Sequence, residues 1–197
     1  MDFIFELPNN LSEEKCEEII KRFEMDDKKI PGITLGETVS EHKKSMDLHI
    51  SSSDEWKDID EYLHQQLKIG LEEYKSHLTN SGYGNMERFY VNGECHDSGY
   101  QIQKTTTGQY YSWHDDSHAK TGRFLTYLWY LTSHDTMTEG GGTAFHPMVG
   151  DGGKVVKPER GKLLIFPATW TYTHMGLPLV GKNPKYICTG WMHSSNA

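Results

Sequence analysis

His114-Asp115-Asp116 falls in a stretch that alternates like a strand, and His174 stands just beyond the apolar run Leu163-Leu164-Ile165-Phe166. In a strand, residues i and i+2 share a face, so His114 and Asp116 aim at one point and Asp115 points away. Two histidines and a carboxylate can cover one face of an Fe(II) ion and leave three positions open for a cosubstrate and O2. His174 would be the second histidine, supplied by another strand. The spacing alone leaves a second reading open: a surface histidine and aspartate near a turn, with His174 an ordinary hydrogen-bonded histidine.

The elements that must position these residues fit one domain. The chain has 197 residues, enough to bury a sizeable core, and 12% of them are aromatic despite a mean hydropathy of -0.68. No apolar run approaches ~18 residues, which excludes a helical membrane span. The start, Met1-Asp2-Phe3-Ile4-Phe5-Glu6, lacks the basic region and cleavage site of a signal peptide. Cys16, Cys95 and Cys188 are odd in number and widely spaced, as suits a reducing compartment, so a cytoplasmic location is expected. A net charge of -8 argues against a nucleic-acid partner.

The first third reads as helical. Asn10 or Ser12 can cap a helix reaching about Glu24, with Cys16, Ile19, Ile20 and Phe23 on one face. A second helix is expected after Ser53, with Asp54 and Glu55 in its first turn. Trp56, Ile59, Leu63, Leu67, Gly70, Leu71, Tyr74 and Leu78 form its stripe. Both stripes read as packing faces. Ile30 to Ser53 is polar with a strand near Ser45 to Ile50, and Asn80 to Gly99 reads as a hairpin or mobile loop beside the site.

From Tyr100 onward, short apolar and β-branched runs recur: Tyr100–Lys104, Phe124–Thr132, Thr143–Phe145, Lys154–Val156, Lys162–Phe166 and Tyr186–His193. Glycine turns separate them, which predicts a sandwich or barrel. Phe124 to Leu131 is apolar at both parities, so that strand should be covered on both faces, by the N-terminal helices on one of them. The expected organisation is a single domain, with 1–98 as helical support and loops and 99–197 as the β core.

The stretch from Gly99 to His193 resembles the prolyl 4-hydroxylase-like branch of the Fe(II)/2-oxoglutarate-dependent dioxygenases. The resemblance covers about half of the chain and its parts come in order. Tyr100-Gln101-Ile102-Gln103 and Gly108-Gln109-Tyr110-Tyr111-Ser112-Trp113-His114-Asp115-Asp116 match the strand, glycine turn, aromatic and HxD. Arg123 to Leu131 resembles an R-x-x-T-x-x-x-Y-L strand, and Gly140-Gly141-Gly142-Thr143 a GGxT segment. Pro158-Glu159-Arg160-Gly161 leads into the next strand, and His174, Pro178 and Gly181 lead to Lys185-Tyr186-Ile187-Cys188-Thr189-Gly190-Trp191-Met192-His193.

That resemblance implies a mainly β fold: a double-stranded β-helix, or jelly-roll barrel, with the N-terminal helices on one outer face. It implies His114, Asp116 and His174 as iron ligands, with Fe(II), 2-oxoglutarate and O2 as the reacting set and ascorbate as a candidate reductant. Lys185 would pair with the distal carboxylate of 2-oxoglutarate, which needs a fixed cation in a narrow apolar barrel, and Thr143 would help to hold it. The stretch between His174 and Lys185 is one residue longer than in the family, so Lys182 competes for the cation role. The distance to Trp191 and His193 favours Lys185. Thr105 stands where relatives carry a tyrosine that touches the cosubstrate; its hydroxyl, Tyr111 or Tyr127 would replace that contact. Arg123 and Trp191 match substrate-side positions, against the alternatives of an ion pair for Arg123 and core packing for Trp191. His118, His134, His146 and His193 read as surface, loop or supporting residues, and Asp115 as supporting or solvated.

The implied reaction hydroxylates an unactivated C–H bond while 2-oxoglutarate is decarboxylated to succinate and CO2. A prolyl residue in a peptide or protein is the expected substrate. A free amino acid or other small molecule is the alternative within the same chemistry. A non-catalytic jelly-roll module that binds metal or dicarboxylate is the alternative outside it.

Overall fold

The computed structural model describes residues 3–34, 38–39, 41–82, 95–117, 122–147 and 153–194. In chain order these form β1 (Phe5–Leu7), α1 (Glu13–Met25), β2 (Ile30–Pro31), β3 (Ile33–Thr34), β4 (Thr38–Val39), β5 (Met46–His49), α2 (Lys57–Asn80), β6 (Cys95–Asp97), β7 (Gln101–Thr105), β8 (Tyr111–His114), β9 (Arg123–Tyr130), β10 (Thr143–Phe145), β11 (Val155–Val156), β12 (Leu163–Pro167), β13 (His174–Gly176) and β14 (Lys185–Ser194).

Ser12 caps α1, its side chain accepting from the Lys15 N–H, and the buried face is Cys16, Ile19 and Phe23. The second helix starts later than the acidic pair suggests. Asp54–Trp56 forms a 3-10 turn, and Lys57 opens α2. Trp56 is the reason: its indole N–H donates to Asp26 at 2.9 Å and Arg22 stacks on its ring. These contacts hold its backbone at φ -111, ψ 4, outside the α region. The stripe of α2 packs as expected, with Ile59, Leu63, Leu67, Gly70, Tyr74 and Leu78 buried. Among the described residues, no helix is long and apolar enough to cross a membrane.

Two antiparallel sheets form the body. The larger runs β1-β12-β9-β14-β7-β5-β2 with β6 added beside β14, and the smaller runs β11-β10-β13-β8. Strands from the N-terminal half, β1, β2, β5 and β6, therefore complete the larger sheet. Alternation along β9 and β12 explains the two apolar layers. Tyr127, Trp129, Leu163 and Ile165 join the helix-facing core with Ile19, Phe23 and Leu63. Leu128, Tyr130, Leu164 and Phe166 face the smaller sheet, where Phe145 and Val156 meet them. The doubly apolar β9 is thus covered on both faces, by α1 and α2 on one and by the smaller sheet on the other.

The jelly-roll architecture agrees with expectation, but the two sheets do not close into a barrel. Among the described residues, the edge beside β8 is tied to the chain entering β5 by an isolated bridge between Lys43 and Tyr111. Lys44 N–H donates to Tyr110 O and Ser112 N–H to His42 O, both at 2.8 Å, on either side of that bridge. The loop expected from Asn80 is only partly visible: α2 continues through Asn80, and residues 83–94 lie outside the described residues.

Candidate active site

The smaller sheet brings the two histidines together. β8 and β13 are antiparallel neighbours, and His114 pairs with His174 in their register. A register shift between His174 and Gly176 re-aims the β8 side chains there. Asp116 follows the end of β8. His114 Nε2 lies 3.9 Å from Asp116 Oδ1 and His174 Nε2 lies 3.6 Å from Oδ2. The three donor atoms fall within 4.8 Å of one another, the one such group among the described residues.

The donor chemistry fits a divalent cation. His114 Nδ1–H donates to Ser112 O at 2.8 Å, and His174 Nδ1–H donates to Tyr172 O at 3.0 Å. Each carbonyl fixes the proton on Nδ1 and leaves the Nε2 lone pair free to coordinate. Burial, with His174 nearby, pushes the His114 pKa down to about 4, so the ring is neutral at pH 7, the ligating form. Burial pushes the Asp116 carboxyl up. His174, His114, the Thr126 hydroxyl and the Trp191 indole together outweigh it, and the net pKa is lowered. Thr126 O–H donates to Asp116 Oδ2 at 2.7 Å, which orients the carboxylate.

An inner chamber opens from this triad toward Lys185, which is buried near one end. Lys185 Nζ donates to Gly141 O at 2.5 Å and lies 5.8 Å from the Tyr130 ring centroid. Burial lowers its pKa to about 8, and no carboxylate offsets that cost among the described residues. Its remaining N–H groups suit an anionic ligand. Thr143, also buried, accepts a hydrogen bond from Tyr130 O–H at 2.7 Å. Thr105 pairs with Lys185 across β7 and β14, so its hydroxyl reaches the same chamber wall. These groups fit a dicarboxylate of the 2-oxoglutarate type. Lys182 is exposed in a bend and takes no part.

Tyr127 is a correction. Its ring belongs to the helix-facing core and its hydroxyl donates to Gly99 O at 3.0 Å. On β9 the chamber side belongs to Thr126, Leu128 and Tyr130, so parity turns Tyr127 away from any cosubstrate.

An outer cleft continues from the triad to solvent, lined by Tyr111, Trp113, Arg123 and Trp191 among others. Tyr111 stacks on His114 with ring centroids 3.5 Å apart, and burial raises its pKa to about 12. It therefore borders the metal face, a place consistent with either a cosubstrate or a substrate contact. The Arg123 guanidinium lies 3.7 Å from the Trp191 ring centroid, and its Nε has no hydrogen-bond partner among the described residues. Among the described residues Arg123 forms no ion pair and stacks on Trp191 instead, and Trp191 is half-buried in the cleft wall. Asp115 accepts from Ser117 and shapes the turn after the site.

Of the extra histidines, His146 meets Trp113 and His193 stacks on His96. His134 sits in a loop but is buried, with Nε2 3.1 Å from Thr132 Oγ1, so it is not a surface residue. His118 lies outside the described residues. Sequence reasoning missed Tyr130, Gly141, Thr126 and the buried Lys43–Asp47 pair, joined at 2.5 Å. Tyr130 and Thr126 share the parity of the chamber side of β9, and that signal could have found them. Gly141 acts through its backbone carbonyl and Lys43 precedes its strand, so no residue pattern marks either.

Residues 100–193 match the model of the 2OG-Fe(II) oxygenase superfamily. No curated protein sequence matches significantly. A prolyl hydroxylase from Trichoplax adhaerens, solved with a hypoxia inducible factor peptide fragment, superposes with a TM-score of 0.79 at 14% identity, covering 100% of this chain and 86% of that one. The viral collagen prolyl hydroxylase of Paramecium Bursaria Chlorella virus-1, in its 2OG complex, gives 0.65 at 18% identity, covering 97% and 96%. A Pseudomonas putida prolyl-4-hydroxylase gives 0.70 at 16%, covering 96% and 92%. At these identities the structural likeness is one of fold.

Proposed function

Since the chain belongs to the 2OG-Fe(II) oxygenase superfamily, we propose that it hydroxylates a prolyl residue within a peptide or protein. The observation that carries the reading is the joining of the His114–Asp116–His174 face to a chamber whose inner cation, Lys185, has no carboxylate partner among the described residues. When bound, Fe(II) and 2-oxoglutarate would activate O2, so that one oxygen atom enters the C–H bond as hydroxyl and the other ends in succinate as CO2 is released.

The residues of the chain do the rest. His114, Asp116 and His174 hold the metal on one side, and Thr126 keeps the carboxylate turned toward it. Lys185 fixes the far carboxylate of the cosubstrate, while Thr143 and Thr105 offer hydroxyl contacts on the way. Leu128 and Ile187 make the chamber wall apolar and exclude water from the keto acid. Tyr111, Arg123 and Trp191 border the cleft through which the target carbon must approach. The peptide preference rests on the fold likeness to prolyl hydroxylases, one of them solved with a peptide.

The test is a mass gain of 16 on a proline-containing peptide, requiring both Fe(II) and 2-oxoglutarate and matched by succinate. Oxidation of free amino acids with no peptide consumed would instead favour the small-molecule reading. A chain that binds both ligands and forms no succinate with any substrate would be a binding module.

A further inference from the structure

Beside the metal face, the cleft wall carries a row of uncharged polar side chains where a jelly-roll interior is usually apolar. The row is His49 on β5 with Gln101 and Gln103 on β7. His49 and Gln101 are register partners, and Gln103 pairs with Asp47 on one side and Ile187 on the other. Gln103 lines both the inner chamber and the outer cleft, while Gln101 and His49 line the cleft alone, so the row runs outward from the site.

Its hydrogen bonds have a direction. Gln103 Nε2–H donates to Gln101 Oε1 at 2.6 Å, and Gln101 Nε2–H donates to His49 Nε2 at 2.8 Å. Among the described residues, Gln103 Oε1 is left as an acceptor at the inner end, and with His49 Nε2 accepting, the His49 proton sits on Nδ1 as a donor at the outer end. Gln101 is buried, Gln103 half-buried and His49 exposed, so the row becomes more open toward its His49 end. The side-chain amides are chemically peptide groups with no net charge. Gln101 and Gln103 are two residues apart on one strand, so they repeat at roughly 6.8 Å. An extended peptide repeats at the same interval.

We propose that the row His49–Gln101–Gln103 binds the backbone of an extended substrate segment beside the target residue. This deepens the peptide reading above and rests on it. Gln103 meets the peptide group nearest the hydroxylated residue, and Gln101 with His49 meets the next one on the same side, two residues outward. A free amino acid has no peptide group to engage the row. Affinity therefore comes from an amide repeat and not from charge, and side-chain identity at the flanking residues matters less than an intact backbone.

The test uses a set of blocked hexapeptides with a single proline, their analogues with one backbone amide next to the proline replaced by an ester, and free L-proline. Steady-state kinetics are measured for wild type, Gln101→Leu and Gln103→Leu, with thermal melts to confirm folding. In the expected result each variant raises the peptide KM about tenfold, near 1.4 kcal/mol, and changes kcat much less. The ester weakens wild type similarly but adds little to the variant facing it, a coupling that a merely structural row would not produce. Peptide hydroxylation with unchanged KM, or an ester penalty equal in wild type and variants, overturns the row and leaves the proposed function standing. Hydroxylation of free proline with no peptide consumed overturns both.

Discussion

Thr126 and Asp116 are joined by a 2.7 Å hydrogen bond that connects the two sheets at the metal face. Thr126 lies in β9 of the larger sheet, while Asp116 follows β8 of the smaller one. The bond therefore fixes both the carboxylate orientation and the local spacing of the sheets. Thr126→Val keeps the shape and removes the donor. It is expected to weaken divalent-metal binding by about 10- to 100-fold, read by titration of the apoprotein with Co(II) or anaerobic Fe(II). Unchanged affinity would mean that the histidines alone position the ion.

Lys185 makes cosubstrate binding depend on pH. Its pKa in the ligand-free protein is lowered to about 8 by burial. A bound carboxylate favours the ammonium and raises that pKa. Binding above pH 8 therefore takes up a proton, and affinity for 2-oxoglutarate should fall by up to about tenfold per pH unit above 8 and be flat just below it. Lys185→Arg, which stays charged, should remove that dependence in whatever affinity it retains. Isothermal titration at several pH values checks both, and a flat wild-type profile from pH 7 to 9 would contradict the assignment.

Thr143 and Tyr130 share a buried hydrogen bond at the Lys185 end of the chamber. Thr143→Val should raise the KM for 2-oxoglutarate by about three- to tenfold, the scale of one hydrogen bond of 0.5–1.5 kcal/mol. The KM for the hydroxylated substrate should move far less. An equal rise in both would show a general distortion of the site.

Tyr127 should matter for stability and not for the cosubstrate. Its hydroxyl donates to Gly99 O on the helix-facing side. Tyr127→Phe is expected to lower stability by about 0.5–1.5 kcal/mol in urea unfolding, with the KM for 2-oxoglutarate unchanged. Gly190→Ala should cost more, about 1–3 kcal/mol, because an added Cβ would stand 2.4 Å from Gly99 O and 2.3 Å from the Tyr127 hydroxyl. A raised KM in Tyr127→Phe would return that residue to the site.

The parts legible in the sequence are those with a period. The double apolar parity of β9 and the stripes of both helices translate directly into the structure, and His114 and Asp116 do converge although Asp116 lies just past the end of β8. The distance to Trp191 and His193 favours Lys185 over Lys182, and in the structure Ile187, Thr189 and Trp191 share its parity and line the same chamber. What could not be read depends on pairing between distant strands. That Thr105 stands beside Lys185 depends on the register of β7 with β14, which no local pattern supplies. Gly141 holds Lys185 through a carbonyl, with its backbone at φ 72, a conformation that glycine adopts readily. The late start of α2 follows from the tertiary contacts of Trp56, which override the favourable acidic pair before it.

The most direct measurement is anaerobic addition of Fe(II) and then 2-oxoglutarate, followed by visible absorption. Wild type should develop a weak charge-transfer band saturating at one equivalent of each, while Asp116→Ala and Lys185→Met, shown folded by circular dichroism, should fail to do so at the same concentrations. No band in wild type at saturating ligand, or an undiminished band in Asp116→Ala, would contradict a metal held by His114, Asp116 and His174 with its cosubstrate anchored on Lys185.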